Sequence, residues 1–167
     1  MIKNNGAGMN AKRAALLQVA TEQIGYTEAP PGSNMTKFGA WFGLNGVPWC
    51  GIFVSWCYSQ AGFPLPRIGF VKGFAGVQTA FEYFTNIKKF GTFTRNPKPG
   101  DIVLFKFGSR YDHTGLFVKD NKDGTFTTIE GNTGTGDDKN GGSVMERVRK
   151  YDYAVFIAIN AMTWLTL

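Results

Sequence analysis

Apolar positions follow two rhythms along this chain. In the first half they recur at helical spacing. Ala14, Leu17, Ala20 and Ile24 fall on one helical face, with Asn10 suited to cap the start and Gly25 the end. "EAPPGSN" (28–34) is a loop, since no helix survives two consecutive prolines. A short helix is predicted over Thr36–Phe42. "VPWCGIFVSWCYSQAG" (47–62) turns at Val47-Pro48, runs as a helix from about Cys50 to Ala61 and stops at Gly62. Residues 66–96 are ambiguous apart from a helix near Ala75–Thr85.

From "NPKPGD" (96–101) the period changes to two. Ile102–Phe107 is apolar on both faces, as a central strand is. "HTGLFVKD" (113–120), "TFTTIEGN" (125–132), "SVMERVRK" (143–150) and "YAVFIAI" (153–159) follow as strands between Gly, Asp and Asn clusters. Helices first and strands later predict an α+β fold, N-terminal helices packed on a C-terminal antiparallel sheet of about five strands.

The chain has 167 residues, the length of one compact domain, and shows no internal repeat or long linker. Its 43% hydrophobic and 15% aromatic content excludes a disordered chain. The net charge of +6 (18 basic against 12 acidic) favours an anionic partner, whether nucleic acid, lipid surface or cell-wall polymer. The N-terminus lacks a secretion-signal pattern. The late apolar stretch Ala154–Leu167 is broken by Asn160 and too short to span a bilayer. Synthesis in soluble form, with no stable membrane insertion, is expected.

The chemistry-bearing residues are few: Cys50, Cys57 and a single histidine, His113. On one helix the two cysteines are seven residues apart, so their Cα atoms lie about 10 Å apart. That exceeds the reach of a disulfide. Two cysteines and one histidine do not fill a four-ligand zinc site, and no CxxC spacing is present, so no metal is expected. Cys50 stands at the helix N-terminus, where unpaired N–H groups and the macrodipole favour an anion, the nucleophilic form of a thiol. The plainer reading is a small buried hydrophobe. Cys57, among Phe53, Trp56 and Ala61, reads as inert core.

His113 begins one strand; Glu130 and Asn132 end the next. If Asn121–Gly124 is the hairpin loop, opposed residues sum to 245. His113 then faces Asn132, with Glu130 one diagonal step away on the same face. Any even-length loop keeps all three together. Gly115 shares that face and leaves room for another element. Singly, each has a plainer reading: a structural histidine, a strand-end charge, a turn residue. Together with Cys50 they supply what cysteine acyl transfer needs: nucleophile, base, and a group that orients the base.

"PWCGIFVSWCYSQAG", "PKPGDIVLF", "DHTGLFV" and "IEGN" resemble, in order and spacing, the CHAP family of cysteine, histidine-dependent amidohydrolases/peptidases, over about residues 12–159. The resemblance implies a single papain-like catalytic domain over 1–167 and cleavage of an amide bond in bacterial peptidoglycan. It implies Cys50 as nucleophile, His113 as general base, Glu130 as its orienter and Asn132 as a further polar support. No cofactor is implied. Some members carry an acidic calcium loop before the nucleophile; here that stretch, "FGLNGVPW", has no carboxylate. Nor does the chain hold a separate wall-binding domain. The related NlpC/P60 group commonly uses a second histidine in the third role, and a chain with one histidine fits CHAP better.

Trp49 reads either as a wall of the substrate cleft or as core. Asp101 reads as a turn or strand-start residue, and Arg147 and Arg149 as a solvated face. The expected protein is a monomeric phage endolysin or virion-associated lysin, made in the host cytoplasm and passed to the wall by a holin. It binds no nucleic acid. The rival enzyme is a cytosolic amidase acting on a small peptide conjugate. The rival outside enzymes is a basic nucleic-acid-binding module, which leaves Cys50, His113 and Glu130 without a role.

Overall fold

The computed structural model of the protein describes residues 5–160, with side chains from residue 6. The expected domain ends and the last part of the apolar stretch, 161–167, lie outside the described residues. Among the described residues four α-helices precede all the strands of the sheet: α1 (Asn5–Thr21), α2 (Lys37–Phe42), α3 (Cys50–Gln60) and α4 (Val77–Asn86). The strands are β1 (Gly91–Thr94), β2 (Ile102–Phe105), β3 (His113–Asp120), β4 (Thr125–Thr133), β5 (Ser143–Lys150) and β6 (Ala154–Ile159). They form one antiparallel sheet in the order β1-β6-β2-β3-β4-β5. The fold is α+β as expected, with six strands rather than about five. The additional strand, "GTFT" at 91–94, is short and pairs only with β6, more than sixty residues on, so no local pattern announces it.

The first helix also differs from expectation. Asn10 lies inside α1, not at its start. The buried face carries Arg13, Leu16 and Ala20, while Ala14 is exposed. The helix is turned from its apolar stripe because Arg13 is drawn inward. Its guanidinium donates to Asp101 Oδ1 at 2.7 Å and to the Pro99 carbonyl at 2.9 Å. Asp101 keeps its turn role as well, accepting from the Lys98 backbone N–H at 2.8 Å.

The sheet has two apolar faces. Ile102, Leu104, Leu116, Ile129 and Ile157 join the helices in the main core. Val103, Phe105, Phe117, Phe126 and Phe156 form a second core on the other face, closed by Tyr151 and Tyr153. All four residues of β2 are buried, as its unbroken apolar run predicts.

The β3–β4 hairpin has the expected loop, with the Asn121 N–H donating to the Thr125 carbonyl at 3.0 Å. Pairing nevertheless begins one residue out of the expected register, with Asp120 opposite Phe126. An irregularity between Phe117 and Lys119 absorbs the slip, and Phe117 pairs with Thr128 and Leu116 with Ile129, the expected register. A one-residue slip carried to the end would put His113 and Glu130 on opposite faces. The bulge keeps them on the same one.

The helix α3 lies across β3 and β4. Gly131 makes its close approach possible: a Cβ there would stand 2.6 Å from Phe53 Cβ and 2.9 Å from Trp49 Cζ3. Gly131→Ala is therefore expected to cost about 1–3 kcal/mol, from overpacking, measured by urea unfolding. Any activity that joins α3 to the sheet falls further than the folded fraction does. Unchanged stability and activity would show that the helix has slack over β4.

Candidate active site

Cys50 opens α3 and is 2% exposed. No side chain caps this helix start, so its first N–H groups are left without a side-chain acceptor. Trp49 supplies the cap position by backbone, and its carbonyl accepts from Phe53 N–H at 2.8 Å. Cys57, on the same helix, is fully buried, and burial pushes its thiol well above the usual range. Both thiols are free.

His113 and Glu130 are both fully buried. His113 Nε2 and Glu130 Oε2 are 2.7 Å apart. An ionised carboxylate only accepts, so Nε2 carries the hydrogen and Nδ1 is left for the thiol. Nδ1 is buried and has no partner of regular hydrogen-bond geometry. The thiol of Cys50 is nonetheless near enough to raise the pKa of the ring. The two stand in proximity rather than in an aligned bond. Phe105 and Phe107 stack near the imidazole, with centroids at 5.7 and 5.9 Å.

Burial on its own would lower the pKa of His113. Cys50 and Glu130 outweigh burial and raise it from 6.5 to about 9. Burial on its own would raise Glu130; Arg149 and His113 outweigh it and bring the carboxyl down from 4.5 to about 2. The histidine thus stabilises the fold fully below pH 6.5, a contribution lost as pH rises through about 9. Glu130 contributes fully above pH 4.5 and loses that as pH falls through about 2.

Glu130 has more partners than the sequence suggested. Oε1 accepts from Thr128 Oγ1 at 2.7 Å and Arg149 Nε at 2.8 Å, while Oε2 accepts from His113 and from Arg149 Nη2 at 2.5 Å. Arg149 is 4% exposed and not part of a solvated face. Its Nη1 donates to Asp138 Oδ1 at 2.8 Å, and Arg147 Nη2 donates to the same oxygen. The signal was present in "RVRK": pairing β5 against β4 puts Arg147 and Arg149 on the face of Glu130. Gly115, expected to admit another element, admits Glu130 itself; a Cβ there would stand 2.6 Å from Glu130 Cγ.

Asn132 is buried on the same strand, with a left-handed φ of 55°. Its amide donates to Asn140 Oδ1 at 3.2 Å and its oxygen accepts from Gly142 N–H at 3.2 Å. Those bonds organise the 134–142 loop; its hydrogen bonds do not run to His113 or Glu130. The same loop sends Lys139 Nζ to Asp112 Oδ2, 2.7 Å away, beside His113. Trp49 is fully buried, stacks on Phe38 and donates to Glu28 Oε2 at 3.0 Å. Of its two readings the core is the one observed, and it offers no surface to a cleft. Among the described residues, no three His, Cys, Asp or Glu side chains converge as metal ligands.

A thiol at an uncapped helix start meets a histidine oriented by a buried carboxylate, and a model of the CHAP domain matches residues 42–132, over half of the 167. The chain belongs to the CHAP domain family. Cys50, His113, Glu130 and Asn132 fall inside the matched span, and Arg149 lies beyond it. Among solved structures, the wild type endolysin LysIME-EF1 is similar with a TM-score of 0.57 and 15% identity, over 87% of this chain and 63% of that one. An N-acetylmuramoyl-L-alanine amidase from Staphylococcus aureus is similar at 16% identity over 70% of this chain and 32% of that one, with a TM-score of 0.49. The CHAP chain thus spans less than two thirds of either. The likeness to the endolysin bears on the fold. No curated protein sequence matches.

Glu130→Gln retains shape and removes the charge. The raised pKa of His113 then falls, and hydrolysis of a susceptible amide is expected to drop on the order of 100-fold. An alkaline limb set by His113 is expected near pH 9 in the parent chain, and it moves down with that pKa in the variant. Equal rates and an equal limb in folded Glu130→Gln would reduce Glu130 to a structural charge.

Proposed function

We propose that this CHAP domain is a peptidoglycan hydrolase that cleaves an amide bond through a Cys50 acyl-enzyme. The observation that carries the reading is the buried His113–Glu130 pair, with Nδ1 left toward the thiol at the start of α3. The thiolate of Cys50 attacks the carbonyl carbon and forms a C–S bond. The oxygen gains negative charge, held by N–H groups at the α3 start. Protonated His113 gives its proton to the leaving nitrogen as the C–N bond breaks, and a thioester remains. Water then attacks the thioester. Neutral His113 takes the water's proton, the carboxylic acid departs, and Cys50 leaves as the thiolate beside protonated His113.

The substrate class rests on family membership, and the net charge of +6 suits an anionic wall polymer. The similar LysIME-EF1 is an endolysin, which supports assigning this chain to phage-encoded lysis. The bond is either the N-acetylmuramoyl-L-alanine link or a stem or cross-bridge peptide bond. Holin-type release from the host cytoplasm belongs to the same proposal, as does action by a monomer.

Purified sacculi provide the test. Cys50→Ala is expected to abolish turbidity loss with little change in melting temperature. Cys57→Ser retains turnover at some cost in stability, since it buries a hydroxyl in apolar packing. Lysis by folded Cys50→Ala, or its loss only in Cys57→Ser, would reverse the roles of the thiols. Mass spectrometry of the digest separates a free muramoyl lactyl end from a cut peptide. EDTA is expected to leave the rate unchanged, and loss restored by calcium would overturn the metal-free mechanism.

A further inference from the structure

Glu130 uses both lone pairs on both oxygens: Thr128 and Arg149 on one, His113 and Arg149 on the other. The carboxylate cannot rotate without breaking the Arg149 fork. The guanidinium is itself fixed. Its carbon stands 5.4 Å from the Phe105 centroid and 5.3 Å from that of Phe107, the same rings that lie against His113. Its remaining nitrogen is held by Asp138. Arg149 is buried behind Glu130, and its links to the site run through that carboxylate and those rings.

The reaction above requires His113 both with and without its second proton. With His113 charged, Glu130 has a partner in either case. With His113 neutral, a carboxylate that is fully buried would lack a counter-ion unless another cation stays beside it. Arg149 is that cation, and it does not deprotonate in the working range. We propose that Arg149 is a fourth, positioning member of the site: it holds the Glu130 carboxylate in place and charge-balanced in both protonation states of His113, so that the imidazole can give up and regain its proton. The inference rests on the roles given to Cys50, His113 and Glu130.

His113 is the chain's only histidine, so its imidazole resonances need no assignment. Its titration by NMR gives a readout that does not depend on substrate. In Arg149→Met, losing the His113 proton leaves Glu130 alone, so the midpoint is expected to rise from about 9 by about one unit. Arg149→Lys retains charge and loses the fork. Its midpoint stays near that of the parent chain, while kcat for a soluble muropeptide falls about tenfold at unchanged KM. In a Glu130→Gln background, Arg149→Lys is expected to change kcat less than twofold, because the group it acts through has lost its charge.

Folded Arg149→Met with an unmoved or lowered midpoint overturns the charge-balancing role. If Arg149→Met does not fold, the cycle with Arg149→Lys decides. Full activity of Arg149→Lys, or effects that multiply independently of Glu130→Gln, overturns the positioning role. Retained lysis by Cys50→Ala is a separate failure, of the mechanism on which the inference rests.

Discussion

A carboxylate removed from water dominates this molecule. Glu130 is fully buried, and an ionised group so placed is costly unless every lone pair is used. Three segments converge to use them. Thr128 comes from the same strand, His113 from one neighbouring strand and Arg149 from the other. Hence β4 lies inside the sheet between β3 and β5, and Gly115 is bare where Glu130 passes. Arg149 brings its own requirement for aromatic faces and for Asp138. The second core is therefore both a packing unit and the support of a charged centre.

The thiol reaches this centre from the opposite layer. The helix α3 belongs to the main core, whereas His113 lies on the face of Phe105 and Val103. The two meet where β3 begins and α3 begins. Gly131, on the helix-facing side of β4, sets how near that approach is, and its neighbour Glu130 faces the other way, toward His113. The "EGN" triplet thus serves three needs: a carboxylate for the histidine, a gap for the helix and an amide for the 134–142 loop. Burial of Trp49 and its bond to Glu28 fix the residue just before Cys50. Cys50 is held by its backbone at the start of a rigid element, the placement that the proposed role of nucleophile requires.

The sequence by itself determined what is local. Helical spacing, with a proline before and a glycine after, defines α3 and puts Cys50 at its start, and the period of two defines β3 and β4. Parity puts His113 and Glu130 on one face, although the register arrives through a slip and a bulge that cancel. Tertiary structure decided what depends on partners remote in sequence. Arg149 reads as a surface charge, and nothing local marks Arg13 for burial, because a guanidinium is solvated unless a carboxylate awaits it; for Arg13 and Arg149 those carboxylates are Asp101 and Glu130, 88 and 19 residues away. The strand β1 exists only because β6 offers an edge. Trp49 became core because Phe38 and Glu28 cover it. Hydrophobic period and turn chemistry act between neighbours, so a chain displays them openly. Burial of a charge is stabilised only by its partner, and only the folded chain shows which partner that is.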